Sequence, residues 1–307
     1  MYSSENKIAK VIAFIPALNE EEALEHVITN MKETYADSVS RGWELQVIVV
    51  DDGSTDRTRE IADKFADRTV IHPINMGLGA ATRTGMQAAY EMGADIAFKM
   101  DADYQHDPYD VEKCITPILK DEADIVWGSR FTGSINYKMP THRHYGNLFF
   151  SWLMRKLTYP NITDAQTGLM CFERKYLGKF KIIANYNPPQ QLLIDAHGKN
   201  MRYAEVPVEF HKRTTGKSFV SFKYPFKVLP AMLRILIYAN PLRVFVPFGF
   251  SFILIALMIM VYDFYQYFAG LSVSTSEHPV TVMLLFTFGI QALMFGLLAD
   301  LIIRRSE

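Results

Sequence analysis

Cysteine is nearly absent from this chain: Cys114 and Cys171 are the only two in 307 residues. Two thiols exclude a disulfide framework and a cysteine-rich zinc site, and they suit a reducing compartment. A basic excess is missing too, since the formal net charge is -1, which argues against a general nucleic-acid binder. No secretory leader is expected, because residues 1–10 are polar and the short run Val11–Ile15 stops at Pro16. Internal repeats and low-complexity tracts are lacking. Long apolar runs are confined to the part after about Phe219, so the average of 49% hydrophobic residues conceals a steep gradient.

What the chain before that gradient does hold is an alternation. Val11–Ile15, Leu45–Val50, Thr69–His72, Ile96–Phe98 and Asp124–Ser129 read as strands, with helices between them that include about Ala80–Met92 and Tyr109–Leu119. Such alternation predicts an α/β domain with a mostly parallel, doubly wound sheet. Three strand ends run into acidic loops: Pro16-Ala17-Leu18-Asn19-Glu20, Asp51-Asp52-Gly53-Ser54-Thr55-Asp56 and Asp101-Ala102-Asp103-Tyr104-Gln105. Open α/β sheets bind ligands outside the carboxyl ends of their strands, so three acidic ends on one edge make a site. Locally, Pro16 is expected to end the first strand, Asn19 to cap the next helix, and Ser54 or Thr55 to cap one beginning near Asp56. Asp51 and Asp52 exceed what a cap requires and suit hydrogen bonds from a base or ribose.

Asp101, Asp103 and Gln105 offer hard oxygen donors. They suit Mg²⁺ or Mn²⁺, with the remaining ligands drawn from a substrate diphosphate and water. A polar turn with an Asp cap is the plainer alternative. Two apparent nucleotide loops fail on inspection. Gly77-x-Gly79 has Thr82 where a third glycine belongs, and Gly216-Lys217-Ser218 has His211 where a P-loop begins with glycine.

Together with Gly128-Ser129-Arg130, the ordered motifs resemble those of inverting family 2 glycosyltransferases with the GT-A fold. Within that family they are most similar to the polyprenyl-phosphate sugar transferases, which include dolichol-phosphate-mannose synthase. The resemblance covers about Ala9 to Ser218. It implies transfer of one sugar, a hexose by expectation, from a UDP- or GDP-linked donor to a polyprenyl phosphate, with inversion. By the same resemblance Pro16, Ala17, Asn19, Glu20, Asp51, Asp52, Asp101, Ala102, Asp103 and Gln105 hold the nucleotide sugar, and Asp101, Asp103 and Gln105 hold its metal. Asp103, Asp164, Arg130 and Arg213 are the implied catalytic residues, and Arg130, Gln166, Arg213, Lys217 and Ser218 the implied phosphate and lipid-phosphate contacts. For Asp164 an Asx-turn in the polar segment Asp164–Gly168 is an open alternative. A phosphate monoester is already largely dianionic at pH 7, so no side-chain general base is expected.

From His211 to Arg243 there are seven lysines or arginines and no acid, interleaved with aromatic and aliphatic residues and broken by Pro225 and Pro230. That composition reads as amphipathic juxtamembrane helices on an anionic membrane face. Val244–Tyr262 and Val280–Ala299 carry no charge, and each is close to the roughly 20 residues that span a bilayer. The expected division is a catalytic domain over 1–218, the amphipathic segment over 219–243 and a two-helix transmembrane hairpin over 244–307. The loop Leu271–Pro279 has no Lys or Arg, whereas Arg304-Arg305 and the basic segment flank the hairpin's other side. The positive-inside rule then makes the catalytic domain and both termini cytoplasmic, at the plasma membrane if the cell is prokaryotic. A buried hairpin of a soluble protein is the alternative. A homo-oligomer is compatible with so short an anchor. Two rival functions are a transferase that elongates a glycan and a non-catalytic membrane scaffold. The first is disfavoured by having two spans and no Gln-x-x-Arg-Trp motif, the second by the intact Asp101, Asp103 and Gln105.

Overall fold

The computed structural model describes residues 8–135, 141–211, 230, 233–238, 240–271 and 273–306. The chain divides into two units, residues 1–229 and 230–307. The first is built on strands β1 (Ala9–Ala17), β2 (Trp43–Asp51), β3 (Arg68–Ile71), β4 (Ile96–Lys99), β5 (Ile125–Ile135), β6 (Met170–Glu173) and β7 (Tyr203–Phe210). Its helices are α1 (Leu24–Thr34), α2 (Thr58–Phe65), α3 (Leu78–Glu91), α4 (Asp110–Leu119), α5 (Thr141–Leu157), α6 (Arg174–Leu177) and α7 (Pro188–Gly198). The strands form one sheet in the order β3-β2-β1-β4-β6-β5-β7. Only β6 runs against its neighbours β4 and β5; the other described pairings are parallel.

Strands β1 and β2 read as continuous apolar runs because both faces of the sheet are covered. Val11 to Ile15 and Val47 to Val50 are fully buried, and each Val, Ile or Phe side chain among them contributes about 1.5–3 kcal/mol relative to exposure. Two elements had no sequence signal. Strand β6 is four residues long, too short for a period, and α7 follows the paired prolines Pro188 and Pro189. Strand β5 outruns its expected end and rejoins β7 beyond an irregularity between Ser129 and Ser134.

Three local expectations are corrected. Pro16 does not end β1, which continues to Ala17 with Pro16 opposite Val50. Pairing with β4 has already stopped at Phe14–Lys99, so the missing proline N–H falls where β1 is an edge on that side. Asn19 does not cap α1, whose N-cap is Ala23 without a side-chain bond. Neither Ser54 nor Thr55 caps α2, which starts after Arg57.

The second unit contains helices α8 (Leu242–Phe268) and α9 (Pro279–Ser306). Only 11% and 17% of their most apolar windows are buried, unlike the mostly buried core hairpin of a soluble protein, and both helices are long and apolar enough to span a bilayer. Asp263 on α8 accepts the amides of Glu277 and His278 at 3.1 Å each, fastening the turn just before α9.

Candidate active site

Strands β1 and β2 end level, with Ala17 opposite Asp51 and the Asp52 amide donating to the Ala17 carbonyl at 2.9 Å. The loops beyond them are laced together. The Asn19 amide donates to Ser54 Oγ at 3.0 Å, the Thr55 amide to Asn19 Oδ1 at 2.8 Å, and the Glu20 amide to Thr58 Oγ1 at 2.8 Å. Asn19 adopts φ 54° to do this, a left-handed conformation that Asn tolerates better than most residues. So Asn19, expected as a cap, instead ties the first motif to the second. Partial burial would raise the Asp56 carboxyl, but bonds from the Thr58 hydroxyl and the Thr58 and Glu21 amides outweigh it and hold the group below its usual range.

Asp51 and Asp52 differ in what surrounds them. Asp51 Oδ1 accepts the Ser54 amide at 2.9 Å. Asp52 uses both oxygens inside the fold: Oδ1 meets the Met76 amide at 2.9 Å and His72 Nδ1 at 2.7 Å, and Oδ2 accepts the Gly77 amide at 2.8 Å. The expected nucleotide role of Asp52 therefore competes with a structural one, holding the turn that leads into α3. The apparent glycine motif belongs to the same packing: a Cβ on Gly79 would lie 2.4 Å from the Ala184 carbonyl oxygen.

Strand β4 delivers the third motif. Lys99, 1% exposed, ends the strand and pairs with Asp101 Oδ1. Its ammonium also reaches the Gly168 carbonyl at 3.3 Å. A Cβ on Gly168 would fall 2.2 Å from Asp101 Oδ2 and 2.6 Å from His106 Nε2, so only glycine leaves those atoms room. The Asp103 carboxylate accepts the Gln105 amide at 3.2 Å. Gln105 is fixed to the end of β7: the His211 amide donates to its carbonyl at 2.9 Å, and its Nε2 donates to the His211 carbonyl at 3.2 Å. The donor set at Asp101, Asp103 and Gln105 fits a hard divalent cation. Beside it, Asp107, Glu209 and His211 bring ligand atoms within 4.8 Å of one another.

Buried His106 has no hydrogen-bond partner at Nδ1. Burial pushes its pKa down to about 4 against the pull of Asp101, with Lys99 and Arg130 pushing the same way as burial.

On β5, Arg130 grips Asp164 in a buried fork, Nε to Oδ2 at 2.5 Å and Nη2 to Oδ1 at 2.8 Å, and Nη2 also donates to the Gln166 carbonyl at 2.9 Å. The guanidinium stacks over Phe210 at 4.9 Å. The Gln166 amide donates to Asp164 Oδ1 at 3.0 Å, which is the Asx-turn left open by the sequence. Glu205 on β7 accepts the Asp164 amide at 2.9 Å and the Thr163 hydroxyl at 2.8 Å. Burial raises the Glu205 carboxyl above its usual range despite those bonds. The structure thus brings Arg130, Asp164 and Gln166 into one network, with Asp164 wholly buried in it. Arg213, Lys217 and Ser218 lie outside the described residues, as does all of 219–229. Lys99, His106, Gly168 and Glu205 carried no functional sequence signal beyond one: a lysine closing an apolar strand.

The family model for glycosyl transferase family 2 matches residues 12–180. The chain belongs to glycosyl transferase family 2. Residues 240–304 of this family 2 chain also match the GtrB C-terminal hairpin. It is 33% identical over 220 residues to the UDP-N-acetylglucosamine–dolichyl-phosphate N-acetylglucosaminyltransferase of Methanococcus voltae, covering 65% of this chain and 84% of that one. With the dodecaprenyl-phosphate galacturonate synthase of Rhizobium johnstonii it shares 25% identity over 304 residues, 94% of this chain and 86% of the relative. The fold is similar to that of Mycobacterium tuberculosis glucosyl-3-phosphoglycerate synthase, solved with Mn²⁺, uridine diphosphate and glucosyl-3-phosphoglycerate, at TM-score 0.54 and 24% identity over 75% of this chain and 78% of that one.

Proposed function

We propose that this family 2 transferase moves one sugar from a UDP- or GDP-linked donor to a polyprenyl phosphate, with inversion, at the cytoplasmic membrane face. The observation that carries this is the joining in one chain of acidic strand ends on a single sheet edge to an apolar C-terminal hairpin. The names of the Methanococcus and Rhizobium relatives, a dolichyl-phosphate and a dodecaprenyl-phosphate enzyme, support the acceptor class.

In this reading Asp51, with Pro16, Ala17, Asn19 and Glu20, lines the base and ribose, and Asp52 shapes the loop behind them. Asp101, Asp103 and Gln105 would hold Mg²⁺ or Mn²⁺, which supplies positive charge to the departing diphosphate. Ala102 packs its side chain into the core cluster, 3% exposed. Arg130 acts through Asp164, fixing the turn that presents Gln166 to the acceptor. Arg213, Lys217 and Ser218 add cationic and hydroxyl contacts to the two phosphates. The acceptor oxygen, already deprotonated at pH 7, needs no base and attacks the anomeric carbon directly. A single displacement inverts that carbon, so an α-linked donor gives a β-linked lipid sugar.

Purified full-length protein is to be offered a panel of nucleotide sugars, one short-chain polyprenyl phosphate and Mg²⁺ or Mn²⁺. One organic-extractable product carrying a single sugar is expected. Repeated addition, or no product from any pair, would overturn the reading. Asp103→Ala should cut turnover about 10³-fold with unchanged near-UV circular dichroism, and exhaustive chelation should give a comparable loss; full activity under either condition removes the metal role.

A further inference from the structure

Helix α5 buries one face and leaves a second apolar face bare. Phe150, Ser151 and Met154 are at most 2% exposed, whereas Tyr145, Leu148, Phe149 and Trp152, spaced i, i+3, i+4, i+7, are 66, 39, 48 and 49% exposed. A helix whose outer face met only water would carry polar residues along that stripe. Its sequence has Arg143, Arg155 and Lys156 and no Asp or Glu, and the exposed Arg155 and Lys156 stand at the end of the stripe.

We propose that α5 is a membrane-contact helix of the catalytic unit, lying in the interface of an anionic bilayer with Tyr145, Leu148, Phe149 and Trp152 turned toward the acyl chains. Three observations commit the face to lipid. Trp, Tyr and Phe are the side chains that favour the boundary between headgroups and hydrocarbon. A helix with cations and no acid complements an anionic leaflet. The inner side of α5 is fastened to the turn that carries Asp164, where the Ala165 amide donates to Ser151 Oγ at 3.0 Å, and from the end of the stripe Arg155 Nη1 reaches the Ile162 carbonyl at 3.3 Å. The helix that a lipid surface would hold is therefore the one that also holds the Asp164–Gln166 turn. This membrane contact lies outside the 219–243 segment from which the sequence expected it.

The tryptophans make the test direct. Of the three, Trp43 and Trp127 are 1% and 0% exposed, leaving Trp152 as the surface reporter. The full-length protein is reconstituted in phosphatidylglycerol-containing vesicles doped with lipid brominated near the top of the acyl chain. Bromolipid should quench part of the emission, and Trp152→Phe should remove that quenchable part. Equal quenching in Trp152→Phe would overturn the proposal. So would Trp152 remaining open to acrylamide in the vesicles, or being shielded from both quenchers, the sign of a second protein copy on the face. A second arm rests on the proposed transferase function: Phe149→Glu/Trp152→Glu should raise KM about tenfold for a bilayer-embedded long-chain acceptor while leaving KM for a water-soluble short-chain acceptor unchanged. Quenching needs no turnover, so failure of the docking surface and failure of the transferase reading give different results.

Discussion

Replacing Asp164 by Asn keeps the acceptor oxygen for the Gln166 amide but removes the charge facing Arg130, in a place where neither group meets solvent. A buried charge left without its partner costs about 3–5 kcal/mol, so Asp164→Asn and Arg130→Met should each lower the thermal midpoint of the catalytic unit by roughly 6–20 °C. The double variant Arg130→Met/Asp164→Leu should recover part of that loss, because no charge remains buried. Additive losses in thermal scans would show that the pair is not one unit. Any activity that Asp164→Asn retains should keep the acidic limb near pH 6 that belongs to the lipid phosphate. His106 gives a pH dependence of stability. Its pKa is about 4 in the fold and about 6.5 in an unfolded chain, so between those values the unfolded state binds more protons. Stability contributed by neutral His106 is therefore present above about pH 6.5 and is lost as pH falls toward 4, by roughly 3 kcal/mol in all. Denaturant titrations at several pH values should show this slope in the native protein and not in His106→Gln.

At the scale of elements, the turn between α5 and β6 controls how closely the chain can approach the end of β4. A methyl group on Gly168 collides with Asp101, which is paired with Lys99, and with buried His106. Gly168→Ala should reduce turnover about a hundredfold, the effect of a misplacement near 1 Å, and destabilise by about 1–3 kcal/mol while far-UV circular dichroism stays native. Gly146→Ala in α5 is the control. A Cβ there meets nothing within 4 Å, and alanine stabilises a helix interior by roughly 1 kcal/mol over glycine. Equal activity in both variants would mean that the approach at Gly168 is unimportant to the site. The four-residue β6 was illegible for a related reason: its place between β4 and β5 depends on partners some 45 to 75 residues away in the chain, and a short apolar run does not declare them.

At the scale of the molecule, the charge pattern sets the expected topology. Basic residues flank the hairpin at Arg243 and Arg304-Arg305 and are absent from Leu271–Pro279, so the connecting loop should lie outside and both termini in the cytoplasm. A cysteine at Ser274 should react with an impermeant maleimide added to intact cells, and a tag after Glu307 should become reachable only after permeabilisation. Labelling of both sites from one side would refute the hairpin orientation. Ser274 is exposed beside the turn that Asp263 anchors, so lack of reaction there would reflect topology and not burial.

The sequence by itself determined the elements with a repeating signal and the chemistry of their ends. Continuous apolar runs announced β1 and β2, uncharged stretches announced α8 and α9, and the acidic motifs fell at strand ends, because burial selects side chains position by position along the chain. Tertiary structure alone decided which of the announced groups are engaged with one another inside the fold. Asp52 is held by His72, Met76 and Gly77, Asp101 is paired with Lys99, and Asp164 is enclosed by Arg130 and Glu205. A carboxylate motif reads the same whether its oxygens are engaged inside the fold or turned toward substrate, since the difference lies in donors that come from other strands and in a glycine whose missing methyl makes room for them.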